Sequence, residues 1–143
     1  MDPYFLDQNA GEIAVLGVAE MRLLLSHKQT NGALAVGQFR GSAGPWTVSH
    51  VHRELDEFFY VLDGQFRFTC GSQELNAEPG AFLMVPRGTA HVFTAESDGA
   101  ILVLWTPGGL EEMFLELGRL PAASLTDPVI RAEMGQRYDS VPT

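Results

Sequence analysis

Between residues 13 and 105 the apolar residues come in short runs bounded by Gly, Pro, Asn or Asp, and several runs alternate apolar with polar positions. The runs are IAVLGV, MRLLLSH, ALAVGQF, TVSHVH, EFFYVL, QFRFTC, AFLMV, HVFTA and AILVLW. They are rich in β-branched and aromatic residues, as half-buried strands require. Turn signals fall between them at TNG (30–32), GSAGP (41–45), DG (63–64), GS (71–72), EPG (78–80), PRG (86–88) and SDG (97–99). Strands this short at this spacing predict an all-β sandwich or barrel.

After TPGG the period lengthens. Leu110, Met113, Phe114 and Leu117 follow the i, i+3, i+4, i+7 pattern of one helix face, with Glu111, Glu112 and Glu116 expected on the solvent side and Gly118 as the stop. Asp127-Pro128 reads as an N-cap followed by Pro at the first helical position, giving a second stripe of Ile130, Met134 and Tyr138. The second stripe is expected to pack. The first could either pack or close one end of the barrel as a lid.

A length of 143 residues with 45% hydrophobic composition suits one domain over 1–143, with a barrel core at about 20–106 and a helical extension at about 109–139. A second barrel would not fit in this length. The formal net charge of -9 argues against a nucleic-acid partner and against an anionic membrane surface. The N-terminal stretch MDPYFLDQNAG has no signal-peptide character, and no apolar run reaches the roughly 18 to 20 residues of a membrane span. The expectation is a cytoplasmic protein. The lone Cys70, in the strand FRFTC, is expected to be a buried and inert thiol.

The segment SHVHRELDE places two imidazoles two residues apart, with a carboxylate five residues beyond the second. On a strand His50 and His52 share a face, inward if Val51 packs outward. Imidazole nitrogen and carboxylate oxygen suit first-row divalent ions, and Glu57 is costly to bury unless it is paired or bound to metal. His91 opens the strand HVFTA and could close the set. Parity from these residues turns Trp46, Val48, Phe59, Val61 and Phe93 inward, an aromatic and dry lining that suits a flat organic substrate. Arg53 and Arg87 are expected as surface charges. His27 is expected as a solvated hairpin residue, with a place as an additional ligand kept as an alternative.

Read with its glycines, the first block is Gly44-x5-His50-x-His52-x4-Glu57-x6-Gly64, and the second is Gly80-x5-Pro86-x-Gly88-x2-His91. These blocks resemble the two signature motifs of the cupin superfamily, departing where Ala95 stands in place of a common Asn. The resemblance implies a small antiparallel β-barrel, or jelly roll, holding one divalent transition metal (Mn, Fe, Co, Ni, Cu or Zn) through His50, His52, Glu57 and His91. With the segment TPGGLEEMFLELG, it extends to bacterial quercetinase-type cupins. That implies a dioxygenase opening the ring of a flavonol or related enol with dioxygen, with Glu57 as ligand and general base. Its carboxyl would then be raised in pKa by an apolar site. Met113 and Phe114 would contact the substrate from the lid. A non-oxidative polyketide cyclase or isomerase, and a small-ligand sensing protein, are the alternatives. Outward-facing Phe58, Tyr60 and Leu62 need a cover, which another sheet or a second subunit would provide, and the resemblance implies a homodimer.

Overall fold

The computed structural model describes residues 2–143. In chain order its strands are β1 (Ile13–Leu16), β2 (Ala19–Leu25), β3 (Ala35–Gly41), β4 (Gly44–Pro45), β5 (His50–Val51), β6 (Asp56–Asp63), β7 (Phe66–Cys70), β8 (Gln73–Ala77), β9 (Phe82–Val85), β10 (His91–Ala95), β11 (Gly99–Thr106) and β12 (Val141–Pro142). Two helices, α1 (Glu111–Gly118) and α2 (Pro128–Tyr138), precede β12. One sheet runs β1-β2-β3-β11-β6-β9, and the other β12-β5-β10-β7-β8 with β4 beside β10. Every pairing is antiparallel. The result is an all-β jelly-roll-like barrel with short helices after it. Among the described residues no helix is long and apolar enough to cross a membrane.

Alternation builds the core. On β6, Phe59 and Val61 are buried, and their partners Val103 and Ile101 on β11 are buried too. Phe68 and Phe93, neighbours on β7 and β10 of the second sheet, stack at 5.1 Å between centroids, and Phe59 meets them edge-on at 5.1 and 5.5 Å. This aromatic contact joins the two sheets. Each such side chain, fully buried, contributes roughly 1.5–3 kcal/mol.

Within the run TVSHVH only His50 and Val51 pair, so the strand is shorter than the sequence predicts. β5 meets β10 only at His50↔His91. Alternation therefore does not extend back to Val48, which is 37% exposed rather than inward. β8 and β12 carried no sequence signal. β8 is an edge strand with mostly polar residues, QELNA.

The first helix departs from its expected stripe. Leu110 and Met113 are buried, and Phe114 and Leu117 pack partly buried on the core, but Leu115 is buried as well and Glu111 is fully buried. The reason is that α1 is covered on more than one side. A Cβ placed on Gly118 would lie 2.8 Å from the Cβ of Ala14, so the helix rests directly on β1. Glu111 avoids the usual cost of a buried charge by filling its lone pairs. Its Oε1 accepts from Gly109 N (2.6 Å), and its Oε2 accepts from His27 N (2.6 Å) and faces His27 Nδ1 at 2.7 Å. His27 is thus neither a solvated hairpin residue nor part of the His50 cluster. It opens a 3-10 turn capped by Ser26 and ties that turn to α1. The second helix forms as the sequence predicts, with Asp127 accepting from Val129 N at 2.9 Å, Pro128 first, and Met134 buried.

Candidate metal centre

His50 lies on β5, His52 just beyond it, Glu57 near the start of β6 and His91 at the start of β10. The fold brings them together, with one ligand atom from each lying within 4.8 Å of the others. All four are buried, at 9%, 3%, 5% and 2% exposure. The ring centroids of His50 and His91 are 4.3 Å apart, and those of His52 and His91 5.1 Å.

Backbone carbonyls orient every imidazole. His50 Nδ1 is 2.6 Å from Val48 O, His52 Nδ1 2.8 Å from Asp139 O, and His91 Nδ1 3.0 Å from Thr89 O. A carbonyl oxygen can only accept, so each Nδ1 carries the hydrogen and each neutral ring is left with its lone pair on Nε2. Glu57 Oε1 then sits 2.8 Å from His91 Nε2 and 3.2 Å from His52 Nε2. Acceptor faces acceptor there, and only a shared proton or a cation makes such contacts favourable. The other carboxylate oxygen, Oε2, accepts from Trp105 Nε1 at 2.7 Å. Outer hydrogen bonds of this kind are what fix ligands around a metal. The donor set, three imidazoles and one carboxylate oxygen, fits a first-row divalent ion.

Protonation follows the same geometry. Burial, reinforced by the neighbouring His91, pushes His50 down to about 4, so this ring stays neutral through the physiological range. Burial also pushes His52 down, but its bond to Glu57 outweighs this and the net shift is upward. Glu57 corrects an expectation. Burial alone would raise its carboxyl, but hydrogen bonds from His52 and His91 overturn that and hold it well below the usual carboxylate range. It is a poor base in this state. Cys70 is half-buried rather than buried as expected, and this partial burial raises its thiol.

The turn before His91 is tied to the first motif. Gly88, at φ +86°, donates its N–H to His52 O at 2.6 Å, and Arg87 binds Asp56 through its backbone N (2.9 Å) and guanidinium (3.2 Å twice). Arg87 is therefore a strut beside the site rather than a free surface charge. Trp105 and Asp139 escaped the sequence reading. Strand parity put Trp105 on the inner face of β11, which was a usable signal, whereas nothing local marks Asp139.

The remaining expected lining residues separate. Phe59 lies 6.3 Å from the His91 ring, Phe93 packs on Phe59, Val61 is buried, and Trp46 is half-buried against Phe66 and Phe93. Met113 is buried, and Phe114 stacks on Trp105 at 5.6 Å and meets Phe39 edge-on at 5.2 Å. Val48 instead faces an outer groove of about 530 Å³ that includes Ser49 and Arg131. A second groove, of about 580 Å³, lies at the other side of β12, with Arg53, Leu55, Leu110 and Asp139 among its walls.

A two-sheet jelly-roll barrel with three histidines and a glutamate converging inside it defines a class of small β-barrel proteins with a metal-type site. The cupin-domain family model matches residues 40–107, and the chain is similar to that family over this segment. Within that family, the chain resembles quercetinase-type cupins. It is 33% identical over 117 residues to quercetin 2,3-dioxygenase of Bacillus subtilis (strain 168), covering 81% of this chain and 35% of that protein. The match thus spans about a third of that relative's length. Among solved structures, KdgF from Halomonas sp. superposes with a TM-score of 0.69 at 18% identity, over 78% of this chain and 99% of that one. The Streptomyces protein Pac13, described as a unique nucleoside dehydratase, gives a TM-score of 0.63 at 14% identity, over 78% and 88%. These two likenesses are likenesses of fold.

Proposed function

We propose that the chain is a metal-dependent cupin enzyme acting on a small aromatic or enolic substrate, and specifically a quercetinase-like dioxygenase. The observation that carries the metal reading is the convergence of three carbonyl-locked imidazoles and one Trp-anchored carboxylate on a single buried point. The identity to quercetin 2,3-dioxygenase supports oxidation over other chemistries. His50, His52, His91 and Glu57 would hold one divalent transition ion. When bound, that ion would supply Lewis-acid and redox chemistry toward a substrate oxygen and dioxygen.

The chain's own groups do the rest. The carbonyls of Val48, Thr89 and Asp139 hold the rings with Nε2 toward the ion, and Trp105 holds Glu57. Phe59, Val61, Phe93 and Trp46 keep the surroundings apolar and exclude water. Glu57 would serve as a ligand through Oε1 while Trp105 Nε1 holds Oε2, and a role as base toward the substrate would require Oε1 to be free of the ion. The substrate would approach from the groove walled by Arg53, Leu55, Leu110 and Asp139, whose carbonyl binds His52. The proposed location is the cytoplasm, since the single cysteine, Cys70, can form no internal disulfide.

Elemental analysis of protein purified without chelator should give close to one transition metal per chain, lost in both His50→Ala and His91→Ala. Oxygen uptake with flavonols should then depend on that metal. Full metal content in both variants would remove the site assignment. Metal-dependent turnover of an enolic substrate without oxygen consumption would shift the reading to a non-oxidative cyclase or isomerase. Tight binding without turnover would make it a sensing protein.

A further inference from the structure

We infer that Asp139 is a positioning residue that holds His52, and the 53–56 link between His52 and Glu57, in ligand geometry. The inference rests on the proposed reading of the cluster as a metal site. Asp139 follows α2 with φ +60° and ψ +45°, a left-handed conformation that among the described residues only Asn31 shares outside glycine. Asp and Asn tolerate it better than most residues. Bent in this way, the residue uses all of its polar groups. Its N–H donates to Gly135 O and closes α2. Its C=O accepts from His52 Nδ1 at 2.8 Å, and its two carboxylate oxygens accept from the backbone N–H groups of Arg53 and Glu54, each at 2.8 Å.

The three contacts made by its oxygens converge on the ligand-bearing segment. Arg53 and Glu54 are the first residues of the short link between His52 and Glu57, so fixing them sets the separation of the two ligands. The chain beyond Asp139 keeps the residue in place. β12 pairs Val141 with Val51 and Pro142 with His50, and Thr143 N donates to Ser49 O at 3.0 Å. A helix end distant in sequence thus supplies for His52 what the neighbouring carbonyls of Val48 and Thr89 supply for His50 and His91. Outer groups that orient metal-binding histidines typically change affinity about tenfold to a hundredfold when removed.

The test compares Asp139→Ala, Asp139→Asn and, as a control, Asp127→Ala, which removes the other cap of α2 without touching His52. Zn²⁺ and Mn²⁺ dissociation constants are measured by chelator competition on folded protein. In parallel, the metal-free proteins are followed by ¹H–¹⁵N NMR of the imidazole Nδ1–H of His52. The expected result is metal binding weakened about tenfold to a hundredfold in Asp139→Ala. Asp139→Asn, which keeps the backbone bend and one acceptor oxygen, falls between it and the wild type, and Asp127→Ala stays within about twofold. The His52 Nδ1–H signal, protected in the wild type, exchanges rapidly in Asp139→Ala. Wild-type metal affinity together with a wild-type His52 signal in Asp139→Ala overturns the inference. Equal weakening by Asp127→Ala also overturns it, because that would be loss of fold rather than of position. Should the wild type bind neither ion, the metal reading fails, and the His52 signal alone then decides whether Asp139 holds the ring. If Asp139→Ala does not fold, Asp139→Asn carries the same comparison.

Discussion

At the centre of the site, the arrangement of Glu57 and His52 makes the effect of pH predictable in sign. His52 is raised above 6.5 by its contact with Glu57. In the metal-free protein a raised pKa contributes stability that is fully present below 6.5 and is lost as pH rises through the folded value. An ion needs the His52 lone pair and must displace that proton. Below the folded pKa of His52 the metal association constant should therefore fall about tenfold per pH unit, with one proton released per ion bound. His50, down at about 4, adds a second proton only in stronger acid. Chelator competition between pH 5 and about 8 would measure this slope, and a pH-independent affinity would exclude His52 as a ligand. Glu57→Gln separates two further roles, since the amide keeps the shape but loses the charge. Because Glu57 is held below the usual carboxylate range, metal loss is expected to accompany the fall in turnover. Full metal content with turnover reduced would restore a general-base role. Trp105→Phe leaves Oε2 of a buried carboxylate without its donor. It should cost about 1–3 kcal/mol in chemical denaturation of the metal-free protein.

Among the elements, what was legible in the sequence depended on whether neighbours in the chain are also neighbours in space. β6, β10 and β11 read clearly because one face of each meets the aromatic core and alternation survives. The convergence of His50, His52, Glu57 and His91 was traceable too, because His50 and His52 sit two residues apart, Glu57 lies at the second position of β6 and His91 begins β10. β5 did not, since two residues of ladder cannot carry parity to Val48. The burial of Glu111 was hidden for another reason: its partners His27 and Gly109 are brought in by the fold, and a helix period assigns it to solvent. Asp139 was hidden in the same way. For α1 the structure favours packing, because Phe114 lies against Phe39 and Trp105. The Trp105 indole in turn has little slack, since a Cβ on Gly37 would come within 3.1 Å of its Cη2. Phe114→Ala should thus lower the melting temperature, with a loss of about 2–4 kcal/mol, below the upper end for a fully buried Phe because the ring is only partly buried. Steady-state kinetics on the folded fraction check the rest. A changed KM with metal content intact would make Met113 and Phe114 part of a substrate lid, and unchanged kinetics would leave α1 as packing alone.

The whole molecule leaves one broad apolar face uncovered. On β6, Tyr60 and Leu62 point outward at 39% and 42% exposure, and on the neighbouring edge strand β9 Phe82 and Met84 are 63% and 43% exposed. Register makes these residues one patch rather than scattered positions. Tyr60 pairs with Phe82 and Phe58 with Met84, while on the other side Leu102 and Leu104 of β11 lie opposite Tyr60 and Phe58. Contiguous apolar surface of this kind marks an interaction site more often than isolated exposed residues do. A second copy of the chain is the occupant we expect, forming a two-fold dimer in which each patch covers the other. The net charge of -9 opposes that association at long range, and salt screens the repulsion over roughly 8 Å at physiological ionic strength while leaving apolar contact in place. Dimerisation should accordingly tighten as salt is raised, opposite to an interface held by ion pairs. Sedimentation equilibrium in low and high salt measures this directly. Phe82→Glu puts a charge on the exposed edge-strand side of the patch, on the face opposite to the buried Glu57, so it should give a monomer that retains its metal. A wild type that stays monomeric at tens of micromolar in both salts would sink the dimer, and a Phe82→Glu protein that dimerises as well as the wild type would move the interface to another face.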